Sequence, residues 1–306
     1  MIIRIGTRGS KLALAQAKMV EDVLVNLGQR VELVLIKTLG DRKQGTSFAG
    51  VSDKKEWIYD LEVALLHGEI DLAVHSGKDV PVGIEKGTKL SSCLKRATPQ
   101  DVFIGKINKE TGKRLKFSAL QDGDIVGTAS LRRRAQLLRL KPGLSVREHR
   151  GNVPTRIEKL DNDSSLAGIV LAHAGILRLG LETLEVYPFS FDELLPAVCQ
   201  GTLAAQYREE DTGVEGVVIK TRDSYTERSF QAERNCVAVL EADCDSALSV
   251  FAEVLEENTF LRARVLSGDG TECLEEVLIE KRGNEVKQGK LVGETLLGRG
   301  ARRLLR

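Results

Sequence analysis

No Cys-x-x-Cys pair occurs in this chain of 306 residues. Its five cysteines (Cys93, Cys199, Cys236, Cys244 and Cys273) are scattered, which argues against a disulfide framework and a cysteine-rich zinc site. The four histidines (His67, His75, His149 and His173) show no ligand spacing, so no metal is expected. An excess of one charge is missing too: 45 basic and 44 acidic residues leave a net +1. A general nucleic-acid binder carries a clear basic excess, so no nucleic-acid partner is expected. Apolar content is normal at 42% and no long like-charge block is present, which argues against disorder. No apolar run approaches the ~18 residues of a membrane span. The first residues, MIIRIGTRGSKLALAQ, lack the apolar region and cleavage site of a signal peptide, so a cytoplasmic location is expected. Neither phosphate fingerprint, Gly-x-x-x-x-Gly-Lys-Ser/Thr nor Gly-x-Gly-x-x-Gly, is there to support a nucleotide.

What is present is an alternation of strand and helix. The length suits two or three domains at about 100–200 residues each. Residues 2–6 read as a buried strand. Residues 10–27 are helical in period, with Leu12, Ala17, Val20 and Leu24 on one face and Gly28 as a stop. Strand 31–37, helix 57–66 and strand 70–75 follow, and such alternation implies parallel pairing in an α/β layer. The middle repeats it: 102–104, 125–127, 144–147 and 168–171 read as strands, and 130–140, 153–160 and 174–179 as helices. After Pro196, residues 197–208 read as helix-like. The tail differs, with one helix over 224–240, an antiparallel sheet from 248–254, 260–266 and 276–282, and a final helix within 286–303. The polar, glycine-containing stretch 41–53 has no periodicity and is a candidate mobile loop.

One local design recurs: a strand ends, small or polar residues follow, and a helix begins beside an arginine. It is seen at Gly6-Thr7-Arg8-Gly9-Ser10, at Gly127-Thr128-Ala129-Ser130-Leu131-Arg132-Arg133, at Arg150-Gly151-Asn152-Val153-Pro154-Thr155-Arg156 and at His173-Ala174-Gly175-Ile176-Leu177-Arg178. Ser10 and Ser130 suit an N-cap, and Pro154 suits a first helical turn. Helix N-termini attract anions, and arginine grips carboxylate or phosphate with two bonds. Arginines spread over four segments favour several separate carboxylates over one polyphosphate. Arg134 reads as a solvated neighbour. In His75-Ser76-Gly77-Lys78-Asp79-Val80-Pro81, Asp79 sits where a catalytic carboxylate would face a cleft, although a turn Asp before Val-Pro reads equally well. His75 reads as a packing or hydrogen-bonding residue.

The segments GTRGSKLALAQA, LEVALL, DLAVHSGKDVP, VGTASLRRRAQL, RGNVPTRIEKLD, AHAGILRLGLE and LPAVCQG, with the QAERN to Cys244 region, carry a family resemblance. Over essentially its full length the chain resembles the hydroxymethylbilane synthases, also called porphobilinogen deaminases. The resemblance implies two α/β domains like those of periplasmic binding proteins and a small C-terminal α+β domain. Their expected extents are 1–95 with 196–215, 96–195, and 216–306. It implies a dipyrromethane cofactor held by a thioether to Cys244. It implies a monomer that joins four porphobilinogen units head to tail on that primer, losing ammonia each time, until water releases the linear tetrapyrrole. The growing pyrrole chain carries an acetate and a propionate on every ring. Arg8, Arg132, Arg133, Arg150, Arg156 and Arg178 match the family's cofactor- and substrate-binding arginines. Ser10, Thr128 and Ser130 match its neutral donors, Lys78 a lysine beside the cofactor, and Gln200 a further binding residue. Asp79 matches the catalytic aspartate.

The chain also departs from the family. Ala242-Asp243 replaces two glycines before Cys244, and the proline usual after that cysteine is absent. By its context alone Cys244 is an ordinary turn cysteine, and the acidic Asp243 and Asp245 disfavour its thiolate. Cys199 stands where a glycine is usual, and Asp53-Lys54-Lys55-Glu56-Trp57 replaces a glycine-containing stretch; Trp57 aligns with an aromatic residue near the substrate, and a core tryptophan reads equally well. A non-catalytic relative that binds tetrapyrroles or small carboxylates is the alternative reading.

Overall fold

A computed structural model describes residues 2–36, 53–242 and 246–305, with 53–57 as backbone only. The expected loop 41–53 and the side chain of Trp57 therefore fall outside the described residues, apart from the backbone of Asp53. The described residues form three sheets. The first holds β1 (Ile2–Thr7), β2 (Arg30–Leu35), β3 (Leu72–Ser76), β4 (Thr88–Cys93) and, from far along the chain, β10 (Leu203–Arg208). The second holds β5 (Asp101–Gly105), β6 (Ile125–Gly127), β7 (Ser145–Arg147), β8 (Leu166–Ala172) and β9 (Tyr187–Pro188). Their orders, β2-β1-β3-β10-β4 and β7-β6-β8-β5-β9, share one plan. In each the first three strands run parallel and the fourth is antiparallel to both neighbours.

The strands expected at 2–6, 31–37 and 70–75 do pair in parallel, whereas 102–104, read as part of the same plan, lies in the antiparallel β5. β5 and β10 each enter their sheet from a crossover out of the other one, over residues 94–100 and 189–202. They do not follow a helix wound back from a neighbouring strand, so the parallel βαβ geometry does not apply to them.

The first sheet is covered on both faces. Side chains of Ile3, Ile5, Leu72, Val74, Leu203 and Ala205 meet α1 (Lys11–Asn26) and α6 (Thr212–Thr221). On the other face, Ala73 meets Leu61, Ala64 and Leu65 of α2 (Asp53–Leu66). The second sheet is likewise enclosed. Phe103, Val126 and Val170 pack with Leu137 of α3 (Leu131–Leu140). Val102, Ile104 and Ile169 pack with Leu160 of α4 (Val153–Asn162) and Ile176 of α5 (His173–Leu177).

Burial on both faces explains a second correction. Residues 197–208 were expected to be helix-like, but they form a turn and then β10. Leu203, Ala204, Ala205, Gln206 and Tyr207 are all buried in mid-sheet, and a strand buried on both faces has no apolar-polar alternation to read. Strand β4 and helix α6 were also not anticipated. Asp211, whose side chain accepts from the Val214 N–H at 3.0 Å, was the available signal for α6.

The third sheet, β11 (Leu248–Val254), β12 (Asn258–Leu266) and β13 (Cys273–Lys281), is antiparallel as expected. One face carries α7 (Ser224–Leu240) and α8 (Glu285–Gly298). These helices approach closely at Gly289 and Gly293. A Cβ on Gly289 would come within 2.3 Å of the Ala232 carbonyl oxygen, so a larger residue would push the helices apart. The fold is thus α/β, with two large mixed sheets and a small α+β unit. Among the described residues, no helix is long and apolar enough to cross a membrane.

Candidate active site

The recurring arginine design falls at the ends of strands and the starts of helices, as expected. Ser10 caps α1 by accepting from the Ala13 N–H at 3.2 Å, and Ser130 caps α3 by accepting from the Arg133 N–H at 3.4 Å. Asn152 caps α4 by accepting from the Thr155 N–H at 2.9 Å. Thr128 is buried, and its hydroxyl accepts from the Ser130 N–H at 3.2 Å. The starts of α1 and α5, on different sheets, meet where a Cβ on Gly175 would sit 3.8 Å from Leu12. Half-buried Arg8 lies between β1 and α1.

Lys78 and Asp79 occupy a single 3-10 turn, Gly77–Asp79, directly after β3. The Gly77 N–H donates to the Thr202 carbonyl at 2.8 Å, and a Cβ there would press within 3.1 Å of Cys199. Glycine therefore lets the turn seat against the return crossover. Both Lys78 and Asp79 are half-buried. The Asp79 charge reaches both sheets, since it opposes the lowering of the pKa of His75 on β3 and of Arg156 after β7.

Arg156 marks the convergence. Burial, with the charges of Arg133 and Arg150, lowers its pKa to about 10 against the pull of Asp79. Its Nε donates to the Gly151 carbonyl at 2.6 Å. Arg150 is exposed and paired with Glu148. Arg178, just after α5, donates from Nη2 to the Gly201 carbonyl at 2.6 Å, and burial brings its pKa down to about 10.

Arg132 and Arg133 are only 4% and 6% exposed, while Arg134 points to solvent as expected. Both buried guanidiniums meet Asp101, a residue the sequence reading missed. Its signal was a carboxylate at the head of the apolar strand Asp-Val-Phe-Ile-Gly. Gln200 joins them, donating from Nε2 to Asp101 at 2.9 Å and to the Pro99 carbonyl at 2.7 Å. Cys244 lies outside the described residues. Its described flanks are Ala242, buried in the third unit's core, and Ala247, also buried.

His75 is held neutral. It is buried, and its Nε2 faces the Gln206 Oε1 at 3.1 Å. Gln206 in turn donates to Glu62 and Thr88 at 2.8 and 2.9 Å. Burial drops the imidazole pKa to about 4, against the opposing effects of Gln206 and Asp79. Between pH 6.5 and about 4 the unfolded chain binds a proton that the folded protein refuses, so this contribution to stability falls as pH drops through that window. Urea unfolding at pH 7 and pH 5 should show a loss smaller in His75→Gln than in the parent by about 1–2 kcal/mol. An equal loss in both would contradict this.

The thiols of Cys93 and Cys236 are pushed up to about 12 by burial, and that of Cys199 well above its ordinary value. They remain protonated and unreactive. Among the described residues, no three His, Cys, Asp or Glu side chains gather as a metal site.

A family model described as "Porphobilinogen deaminase, dipyromethane cofactor binding domain" matches residues 3–216. A porphobilinogen deaminase of Carboxydothermus hydrogenoformans is 37% identical over 306 residues, covering 98% of this chain and 95% of that protein. The chain belongs to the porphobilinogen deaminase family. It is a transferase of the hydroxymethylbilane synthase type, and its cofactor is dipyrromethane. Two solved structures are similar at lower identity. A nutrient-binding protein from Burkholderia cenocepacia bound to methionine is 14% identical, with a TM-score of 0.42 over 76% of this chain and 96% of that one. The methionine-binding protein MetQ is 19% identical, with a TM-score of 0.43 over 76% and 91%.

The residues present fit a ligand with several carboxylates. The Arg178 Nε and the Gln200 Oε1 are buried and lack a hydrogen-bond partner among the described residues. Near Gln200, one carboxylate, Asp101, serves both Arg132 and Arg133. Such a site favours anions carrying hydrogen-bonding groups.

Proposed function

We propose that Arg8, Arg133, Arg150, Arg156 and Arg178 bind the acetate and propionate groups of the cofactor and of the growing pyrrole chain. In this reading Ser10, Thr128 and Ser130 supply neutral donors, Lys78 lies beside the cofactor, and Arg132 and Gln200 complete the set. Asp79 is the catalytic carboxylate. Dipyrromethane, bound through a thioether to Cys244, supplies the pyrrole carbon to which the first porphobilinogen is joined. As porphobilinogen loses ammonia its methylene carbon becomes cationic, and Asp79 stabilises that charge and accepts the proton released when the new bond forms. The arginines keep the acidic side groups in register, so that the reacting carbon lies over Asp79 at each of four additions. Domains at 1–95 with 196–215, 96–195 and 216–306, a monomeric state, and work in the cytoplasm on porphobilinogen without nucleic acid or membrane belong to the same reading.

The observation that supports it best is that Asp79 and Arg156, after strands of different sheets, lie within electrostatic reach, with Arg133 and Arg150 crowding the same guanidinium. Intact mass of the purified protein, followed by peptide mapping, tests it. The expected result is an added mass of two linked pyrroles on Cys244. A chain that stays unmodified after incubation with porphobilinogen would remove Cys244 from this role, and the non-catalytic alternative would take its place.

A further inference from the structure

Asp101 opens β5 and is wholly buried at the point where three segments meet: the outgoing crossover, the N-terminus of α3 and the return crossover. Its Oδ1 accepts from Nε and Nη2 of Arg133 at 3.0 and 2.8 Å and from Gln200 at 2.9 Å. Arg132 Nη2 lies 2.7 Å from its Oδ2. One carboxylate thus serves two guanidiniums, leaving a buried surplus of one positive charge. The remaining Nη1 of Arg133 donates to the Val170 carbonyl at 3.0 Å. The charge of Arg133 is also the strongest of those that depress the pKa of Arg156 across the cleft floor.

The same cluster reaches the third unit. Arg132 Nη1 donates to the Leu195 carbonyl at 2.8 Å, which also accepts from Gln136 and from Ser249 of β11 at 3.0 and 2.9 Å. Gln136 Oε1 accepts from Arg264 of β12 at 2.8 Å. A continuous buried polar network therefore runs from the sheet of the third unit to the arginines of the cleft.

We propose that Asp101 is a positioning residue: it orients Arg132, Arg133 and Gln200 as one rigid unit and so sets where the acidic ligand docks. This rests on the anion-site reading of Arg133 given above. Without a fixed counter-ion, two adjacent guanidiniums in one buried pocket repel, and Arg133 turns away from the ligand. Planar, two-bond recognition of a carboxylate tolerates little misplacement, and an error of about 1 Å can cost about 10²-fold.

Asp101→Asn keeps the shape and removes the charge, and Asp101→Glu keeps the charge but moves it by one methylene. Leu137→Ala, in the apolar core beneath α3, serves as a packing control that leaves the cluster intact. Each is measured for thermal midpoint, for the fraction of chains carrying the two-pyrrole mass, and for KM and kcat with porphobilinogen. Asp101→Asn should lower the loaded fraction about fivefold and raise KM about tenfold in the chains that load. Asp101→Glu should fold and load but still raise KM several-fold. Leu137→Ala should lower the midpoint with loading and KM unchanged. Normal loading and KM in either folded Asp101 variant would overturn the proposal. So would equal losses in Leu137→Ala at a matched midpoint, because the role would then be packing alone. Arg133→Gln separates the two levels. If it is impaired while the Asp101 variants are normal, only the role of Asp101 fails; if it loads and binds normally, the anion-site reading falls and this proposal with it.

Discussion

Asp79→Asn is expected to lower turnover by roughly 10²–10³-fold while the two-pyrrole adduct stays attached. The substitution preserves the size and one acceptor of the side chain, so the turn Gly77–Asp79 and its seating on Thr202 should survive. On the proposed reading, what is lost is a fixed negative charge at the point where positive charge develops as ammonia departs. Preorganised groups of this kind are worth about 3–4 kcal/mol in a site closed to water. The measurement is steady-state turnover of porphobilinogen alongside intact mass. Turnover within about threefold of the parent, with the adduct present, would take Asp79 out of the chemistry. Loss of the adduct itself would instead assign Asp79 to cofactor assembly.

Glu233→Ala is expected to destabilise the protein by about 3–5 kcal/mol. Glu233 lies on α7, and its side chain is fully buried. It pairs with Arg96 at 2.6 Å and accepts the N–H groups of Cys199 and of Ala252, the latter at 2.8 Å. Arg96 also donates to the Gln200 carbonyl at 2.8 Å, and its guanidinium stacks 5.2 Å from the Phe251 ring centroid. One carboxylate therefore joins both crossovers to the third unit. Its removal strands a buried guanidinium and two backbone donors. At about 2–4 °C per kcal/mol the thermal midpoint should fall by about 10 °C. A change under about 3 °C would show that water or rearrangement satisfies these groups.

Much of the architecture could be read from local pattern. The helix over residues 224–240 matches α7, and residues 125–127 match β6. Ser10 and Ser130 cap the helices they were expected to cap, because a cap bond spans only three residues. The central strand β10 escaped, since burial on both faces erases the periodicity that separates strand from helix.

Helix α3 shows where pattern misleads. Leu131 is 46% exposed and Arg132 is 4% exposed, the reverse of what their polarity suggests. The inversion depends on Asp101, more than thirty positions earlier, being brought beneath the helix by the crossover. His75 follows the same logic. Its place at the end of an apolar strand was legible, but its neutrality comes from burial beside β10, a strand that returns from over a hundred residues away.

The sequence by itself determined the alternating α/β plan, the helix starts, the set of arginines and the family, because each is encoded in contacts of a few residues or in contiguous motifs. Only the tertiary structure decided which arginines are buried and compensated and which stay exposed. Burying a charge is affordable only beside its counter-ion. Asp101 and Glu233 reach their partners through the two crossovers, and no spacing along the chain encodes that meeting.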